Sequence, residues 1–438
     1  MFKEYNLYHT LARLQAYPTS RLLVVFLLFI SSVCYAQVPV IKEVTPNSAY
    51  AGQIISIKGV NFNANSKVLF GGSRGNVVSW TDQLLEVEVP TSATYDLVSV
   101  TNTNTGLTGY SPMPFMLSFG GTQGLSATDF GPQQNFPARS GLYDLCVCDL
   151  DGDGKNDVVG TNSKDNNITI LRNISTVGDI KFTTENRSIS ALSLNIKCAD
   201  LNGDTKPDLV ISEFGNGSRI FVLKNISTVG NINFSQQQFE APNNSTKRVD
   251  VNDIDLDGKP EIIVTDQAKN NVSVLKNTST ISSISFSAAQ DFSIDDGIVM
   301  GGLVVRDLNN DLKPDIVASN FLKDGKYFFS ESSSTPGNIQ LGNFNENDIS
   351  GIIINMQTVD LNNDRKADLL ATRYLSADIA IMTNQSAKGG SISFGSTTMV
   401  GTAAVPWGID VGDMANDHHI GLIFQCLPDK QVTVVLGS

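Results

Sequence analysis

From Leu142 onward the chain repeats one order of apolar and polar positions. An alternating run such as Leu142-Tyr143-Asp144-Leu145-Cys146-Val147-Cys148 leads into an acidic stretch. A short unbroken apolar run leaves it, as in Asp157-Val158-Val159 and Asp208-Leu209-Val210-Ile211. A third run follows a turn (NITILRN, residues 167–173; RIFVLKN, residues 219–225), and a fourth, more polar run opens on an apolar pair, as in INFSQQQ. Short runs of this kind, bounded by Gly, Asn and Asp and with no helix-period segment between them, predict strands. Four of them per unit predict the blade of a β-propeller.

The acidic stretches begin at Asp149, Asp200, Asp253, Asp307 and Asp360, with a worn copy at Asp413, so the period is 51 to 54 residues. A repeat of that length belongs to solenoids and propellers. The chain ends on QVTVVLGS, the third run of the sixth unit, which therefore lacks a fourth. The stretch Thr128–Phe136, TDFGPQQNF, reads like a fourth run and would complete the last blade, joining the two ends of the ring. Closure removes the open edges that the first and last blades would otherwise carry. Ahead of the repeats, residues 38–117 alternate on a different plan, with turns at Pro46-Asn47-Ser48 and Asn61-Phe62-Asn63, and predict a β-sandwich. The expected fold is all-β: a sandwich followed by a six-bladed propeller, with seven blades as the fallback. The organisation that follows is 1–36 signal peptide, 38–117 sandwich, 118–125 linker and 126–438 propeller.

Arg21 precedes the apolar run Leu22–Ile30, and small residues lead to Ala36. Too short for a membrane span, this run predicts a secretory signal peptide cut near Ala36, so the mature protein is expected to be secreted or held at the cell surface, with no membrane span. The net charge of −13 argues against a nucleic-acid partner. Of the cysteines beyond the signal, Cys146, Cys148, Cys198 and Cys426 fit no zinc spacing; buried free thiols are the favoured reading, and a disulfide in an oxidising compartment stays open.

Carboxylates dominate the chemistry. The five intact loops carry 17 of them, which would repel one another without a cation between them. In each loop, oxygen ligands fall at positions 1, 3, 5 and 9, with a backbone carbonyl at position 7. They are Asp149, Asp151, Asp153, Lys155 (backbone) and Asp157 in the first loop, and Asp200, Asn202, Asp204, Lys206 (backbone) and Asp208 in the second. The third has Asp253, Asp255, Asp257, Lys259 (backbone) and Glu261; the fourth Asp307, Asn309, Asp311, Lys313 (backbone) and Asp315; the fifth Asp360, Asn362, Asp364, Lys366 (backbone) and Asp368. All-oxygen sets of this density suit Ca2+ better than Mg2+, which holds to a strict octahedron. About five Ca2+ sites are therefore expected, with Gly154 and Gly258 at position 6 permitting the turn. An EF-hand is rejected, since position 12 of the first loop is Gly160 and strands flank it. The sixth loop, with Ala415 and Gly421 at ligand positions, is expected to be empty or weak.

The tandem D-x-[DN]-x-D-G-x-x-[DE] loops resemble the FG-GAP/VCBS repeats also found in the heads of integrin α subunits. That resemblance implies calcium held for structural rather than catalytic reasons. Residues 38–117 resemble an IPT/TIG domain, an immunoglobulin-like fold, through Pro46, Gly52, Ile57, Gly59 and Phe62, supported by Gly71-Gly72 and VEVP around Pro90. It implies an interaction or spacer module without an active site. His418 and His419, the histidines of the mature chain, sit in the worn loop, and no nucleophile elbow, phosphate loop or dinucleotide fingerprint is present. Glu213, Glu240 and Asp295-Asp296 form no pair that the sequence establishes. Asn-x-Ser triplets such as Asn173-Ile174-Ser175 and Asn225-Ile226-Ser227 read as turn residues. The function expected is non-enzymatic binding of an extracellular glycan or surface protein by the propeller, with a propeller-type polysaccharide lyase or hydrolase, or a structural component of an extracellular assembly, as alternatives.

Overall fold

A computed structural model describes residues 37–118, 142–162, 164, 166–176, 179, 181–189, 193–213, 219–240, 246–266, 270–294, 299–321, 325–362, 364–374, 376–402, 405–412, 421–427 and 431–435. The expected signal peptide, the linker beyond Ser118, the closing strand at Thr128–Phe136, Asp295-Asp296 and the worn loop at 413–420 lie outside the described residues. Among the described residues, no helix is long and apolar enough to cross a membrane. Residues 38–438 form one compact unit.

The sandwich comprises β1 (Val40–Thr45), β2 (Ser48–Tyr50), β3 (Ile54–Val60), β4 (Ser66–Phe70), β5 (Ser73–Trp80), β6 (Leu84–Glu88), β7 (Asp96–Asn102) and β8 (Leu107–Ser118). They hydrogen-bond in the order β1-β3-β6-β5-β4-β7-β8-β2. β5 pairs with β4 through Ser73–Gly75 and with β6 through Asn76–Trp80, so it passes from one layer to the other. Alternate residues of both layers, among them Ile55, Ile57, Val68, Phe70, Val87, Val98 and Phe115, meet in one core, with Phe70 and Phe115 edge to face.

Beyond it come successive antiparallel sheets. The first runs β9 (Leu142–Cys148), β10 (Asp157–Asn162), β11 (Asn167–Asn173) and β12 (Phe182–Ser188). The second runs β13 (Ser193–Ala199), β14 (Asp208–Glu213), β15 (Arg219–Asn225) and β16 (Phe234–Glu240), and the third β17 (Thr246–Asn252), β18 (Glu261–Asp266), β19 (Asn271–Leu275) and β20 (Gln290–Ser293). The fourth runs β21 (Val299–Arg306), β22 (Asp315–Asn320), β23 (Lys326–Ser330) and β24 (Asn345–Asp348); the fifth β25 (Ile352–Val359), β26 (Asp368–Tyr374), β27 (Asp378–Asn384) and β28 (Phe394–Gly401). The last has, among the described residues, β29 (Val405–Gly412), β30 (Gly421–Leu427) and β31 (Gln431–Val435).

The unbroken apolar runs follow from how these sheets stack. Leu209 and Ile211 of β14 pack toward the first sheet while Val210 packs toward the third, so neither face of the strand can be polar. Ile262 and Val264 of β18 likewise face back, and Ile263 faces forward. First strands lie side by side along the interior. Val249 N donates to Asn195 Oδ1 (3.0 Å), and Val305 N to Asp250 Oδ2 (3.1 Å). From β17, the Arg248 guanidinium reaches Gly301 O of β21 (2.7 Å) and Ile354 O of β25 (3.0 Å).

The cysteines depart from the favoured reading. Adjacent first strands set Cys148 of β9 against Cys198 of β13 with Cα atoms 6.7 Å apart, and the two form a disulfide; Cys146 stays free beside it. Two residues of one strand share a face, so both β9 thiols point at the same neighbour.

The sandwich is in direct contact with the acidic-loop side of the repeats. Asn156 of the first loop donates to Ser92 O (2.7 Å) and accepts from Ser73 Oγ (2.9 Å), and Thr108 N donates to Gly258 O of the third loop (2.8 Å). At the second loop the approach is closer still. A Cβ on Gly203 would stand 2.2 Å from Gly106 O, and Gly203 has φ 73°. Gly203→Ala should therefore cost about 1–3 kcal/mol from overpacking and backbone strain together. Chemical denaturation would measure it, and an unchanged midpoint would mean that the two surfaces do not meet.

Candidate metal centres in the acidic loops

Each acidic loop folds around its first aspartate. The Asp149 carboxylate accepts from the N–H groups of Gly152, Asp153 and Gly154, and Asp200, Asp253, Asp307 and Asp360 accept likewise from their own loops at 2.7–3.2 Å. The position-3 side chains Asp151, Asn202, Asp255, Asn309 and Asn362 accept from position-5 N–H groups. Asp153, Asp204, Asp257, Asp311 and Asp364 accept in turn from the N–H groups of Lys155, Lys206, Lys259, Lys313 and Lys366. Position 6 is left-handed throughout, at Gly154, Thr205, Gly258, Leu312 and Arg365, so glycine is not required there. Lys206 Nζ donates to Ser227 O and Lys259 Nζ to Ser279 O, outside their loops, while Lys155 Nζ stands 4.0 Å from Asp153 of its own loop.

Position 9 is the deepest group. Asp157, Asp208, Glu261, Asp315 and Asp368 are all 0% exposed. One oxygen of each accepts from the N–H at position 2, and the other from the N–H at or just beyond the end of the third strand, at 2.7–3.2 Å. Carboxylate oxygens of Asp149, Asp151 and Asp157 lie within 4.8 Å of one another, as do those of Asp253, Asp255 and Glu261; the position-5 acids fall outside these groups. These are clusters of buried acids that can hold a metal ion, and their donors are all hard oxygens.

Burial raises the pKa of these acids, and neighbouring carboxylates add to the effect. Asp157, Asp200 and Asp315 are pushed up to about 7 and Glu261 to about 10, while Asp208 and Asp253 are held well above the usual carboxylate range.

Two sets of residues escape the sequence reading. Arg172 and Lys276, at the ends of the third runs, stand 3.6 Å from Asp151 and 2.6 Å from Asp255, and so face the loops with aspartate at position 3. The signal was a basic residue directly before the Asn of the third run. That Asn is the second set. Asn225 Nδ2 donates to Leu150 O of the preceding sheet's loop and to Pro207 O of its own; Asn277 does the same to Leu201 O and Pro260 O, and Asn384 to Leu308 O and Ala367 O. These asparagines are 1–2% exposed and staple one sheet to the next, which is more than turn formation. Glu213, left unpaired by the sequence, holds Arg219 at 2.8 Å.

Asn277→Ala should cost about 1–3 kcal/mol by leaving two buried carbonyls without a donor, read as a lower denaturation midpoint. The pH dependence has a definite sign. Acids with raised folded-state pKa stabilise the fold in their protonated form; that contribution is complete below the unfolded value of about 4 and is lost as the pH rises through about 7 for Asp157, Asp200 and Asp315. With divalent ions chelated, Tm should fall between pH 4 and 7, and a rising Tm over that window would contradict the burial of these groups.

Family models match both parts of the chain. The IPT/TIG domain model matches residues 39–116, and the FG-GAP-like repeat model matches 149–211, 200–264 and 253–318. No curated protein matches the chain. Among solved structures, the chain is similar to an auxiliary nutrient binding protein from Bacteroides ovatus at 13% identity and TM-score 0.42, covering 92% of this chain and 99% of that one. A second auxiliary nutrient binding protein, from Bacteroides thetaiotaomicron, has 12% identity and TM-score 0.42 over 92% and 98% of the two chains. The exotype rhamnogalacturonan lyase YesX has 11% identity and TM-score 0.38 over 91% and 90%. The chain is thus an FG-GAP-like repeat protein with an N-terminal IPT/TIG domain.

Proposed function

We propose that this is an exported, non-enzymatic protein in which about five Ca2+ ions stiffen a closed ring of six blades that binds an extracellular glycan or surface protein. One observation carries the reading: a single loop frame recurs five times, each around a carboxylate with no solvent exposure. Burying a carboxylate beside others is costly unless a positive charge shares the site. The side chains at positions 1, 3, 5 and 9, with the backbone carbonyls of Lys155, Lys206, Lys259, Lys313 and Lys366, would hold each ion. When bound, Ca2+ supplies the charge that lets these acids ionise while buried.

A closed ring would cover an apolar face that the first sheet leaves exposed. Tyr143, Leu145 and Val147 of β9 are 41%, 51% and 45% exposed, whereas Ile196 of β13 and Val249 of β17, which match Leu145, are buried against the preceding sheet. The last sheet is the element left to cover it.

Titrating the chelated mature protein with Ca2+ should give about five sites, and removing the ion should lower Tm by many degrees at neutral pH. Asp153→Ala should remove one site and leave the others. A melting curve indifferent to chelator, with no metal found by elemental analysis, would sink the calcium assignment. For closure, Leu145→Asp should lower Tm by several degrees in the Ca2+-loaded protein; an unchanged Tm would mean that β9 stays open.

A further inference from the structure

The third and fourth acidic loops and the near edge of the sandwich enclose a cavity of about 320 Å3. At about 30 Å3 per molecule this is room for roughly ten waters. Its walls are largely apolar, with Val38, Val40 and Ile41 from the start of the sandwich, Leu97 from β7, and Leu256 and Leu312 from the two loops. Water would find few partners there, so an organic body is the better filling.

The two leucines make the case specific. Leu256, at position 4 of its loop, has φ 58°, and Leu312, at position 6, has φ 71°. The first loop places Gly152 and Gly154 at those positions, with φ 73° and 84°. The loop frame is left-handed at these positions whatever the residue, as at Gly203 and Asn310 at position 4 and Thr205 and Arg365 at position 6, so what sets the leucines apart is where their side chains go. Both leucines line the same cavity, and Leu312 is still 42% exposed, so it does not complete a buried core.

The polar groups of the wall are not equivalent. Asp253 accepts from Asp257 N and Gly258 N, Asp307 from Asp311 N and Leu312 N, and Asp311 from Lys313 N, so these carboxylates are engaged within their loops. The Tyr110 hydroxyl, shared with a smaller cavity of about 70 Å3, has no hydrogen-bond partner among the described residues, and the Lys313 ammonium has none either. Arg306, 3.7 Å from Asp96, adds a second cation. A phenol donor and cationic side chains beside an apolar hollow match a carboxylate carried on an apolar body.

We propose that this cavity binds a small carboxylic acid with an aromatic or branched aliphatic body, the body against Leu256 and Leu312 and the carboxylate taken by Tyr110 and Lys313. The site goes beyond the calcium reading but rests on it in one respect, since Asp253, Asp307 and Asp311 of its wall need their charge offset by the ions before an acid is accepted, so the titration is made on the Ca2+-loaded chain.

Isothermal titration of the mature chain with 2-naphthoate should show one saturable site, with the neutral 2-naphthalenemethanol at least about tenfold weaker. Val40→Trp, at a rim position already 36% exposed, should weaken 2-naphthoate about tenfold or more without lowering Tm. Lys313→Met should abolish the preference for the acid over the alcohol. No saturable binding, or binding that Val40→Trp leaves unchanged, overturns the site. Equal affinity of the parent chain for the two probes overturns the assignment of an acid. Should Val40→Trp fail to fold, Leu312→Gly takes its place, since it removes the side chain while relieving the positive φ, and the same loss is expected.

Discussion

The repeats depend on a carboxylate that is taken out of water and held by the backbone on both sides. At position 9 one oxygen ties the start of the acidic loop, and the other ties the end of the third strand. A single side chain thereby fixes the turn, its distance from the neighbouring strand and the depth of the loop. An aspartate serves at four of the five loops, and Glu261 serves at the third. The same groups carry the main electrostatic cost of the fold, because burial and crowding oppose their charge. Stability and the capacity to hold a metal ion therefore fall on the same atoms.

Around that anchor the sheets are built to be buried on both faces. β14 and β18 alternate their side chains between a preceding and a following sheet, and the asparagine at the end of a third strand crosses to the preceding loop. The acidic turns are therefore enclosed by neighbouring repeats and by the sandwich. The sandwich packs against backbone at Gly203 and Gly258, where contact demands shape and leaves little room for side chains. A module that read as a spacer is seated on the repeats.

Much of this was legible in the sequence because the signal was repeated. A run such as Asp208-Leu209-Val210-Ile211 marks a strand covered on both sides, and the recurrence of Asp at fixed offsets marks the loops. The left-handed backbone at position 6 was only half legible, because glycine announces it at Gly154 and Gly258 while Leu312 and Arg365 adopt it under the hydrogen bonds of Asp307 and Asp360. The partners of Arg172, Asn225 and Cys198 lie in other strands or sheets. Strand periodicity gives the face of a residue but not which neighbour meets it, so Cys148–Cys198 and the asparagine staples could be seen only once the first strands were laid side by side.

A row of sheets that touch only their neighbours behaves as a one-dimensional array and can fray from its ends. Arg248 does not respect that arithmetic. Its guanidinium joins the third sheet to the fourth and also to the fifth, skipping a neighbour. A bond of that reach ties the opening of one repeat to that of the next but one, so the third, fourth and fifth sheets share a link that neighbour-to-neighbour packing does not supply.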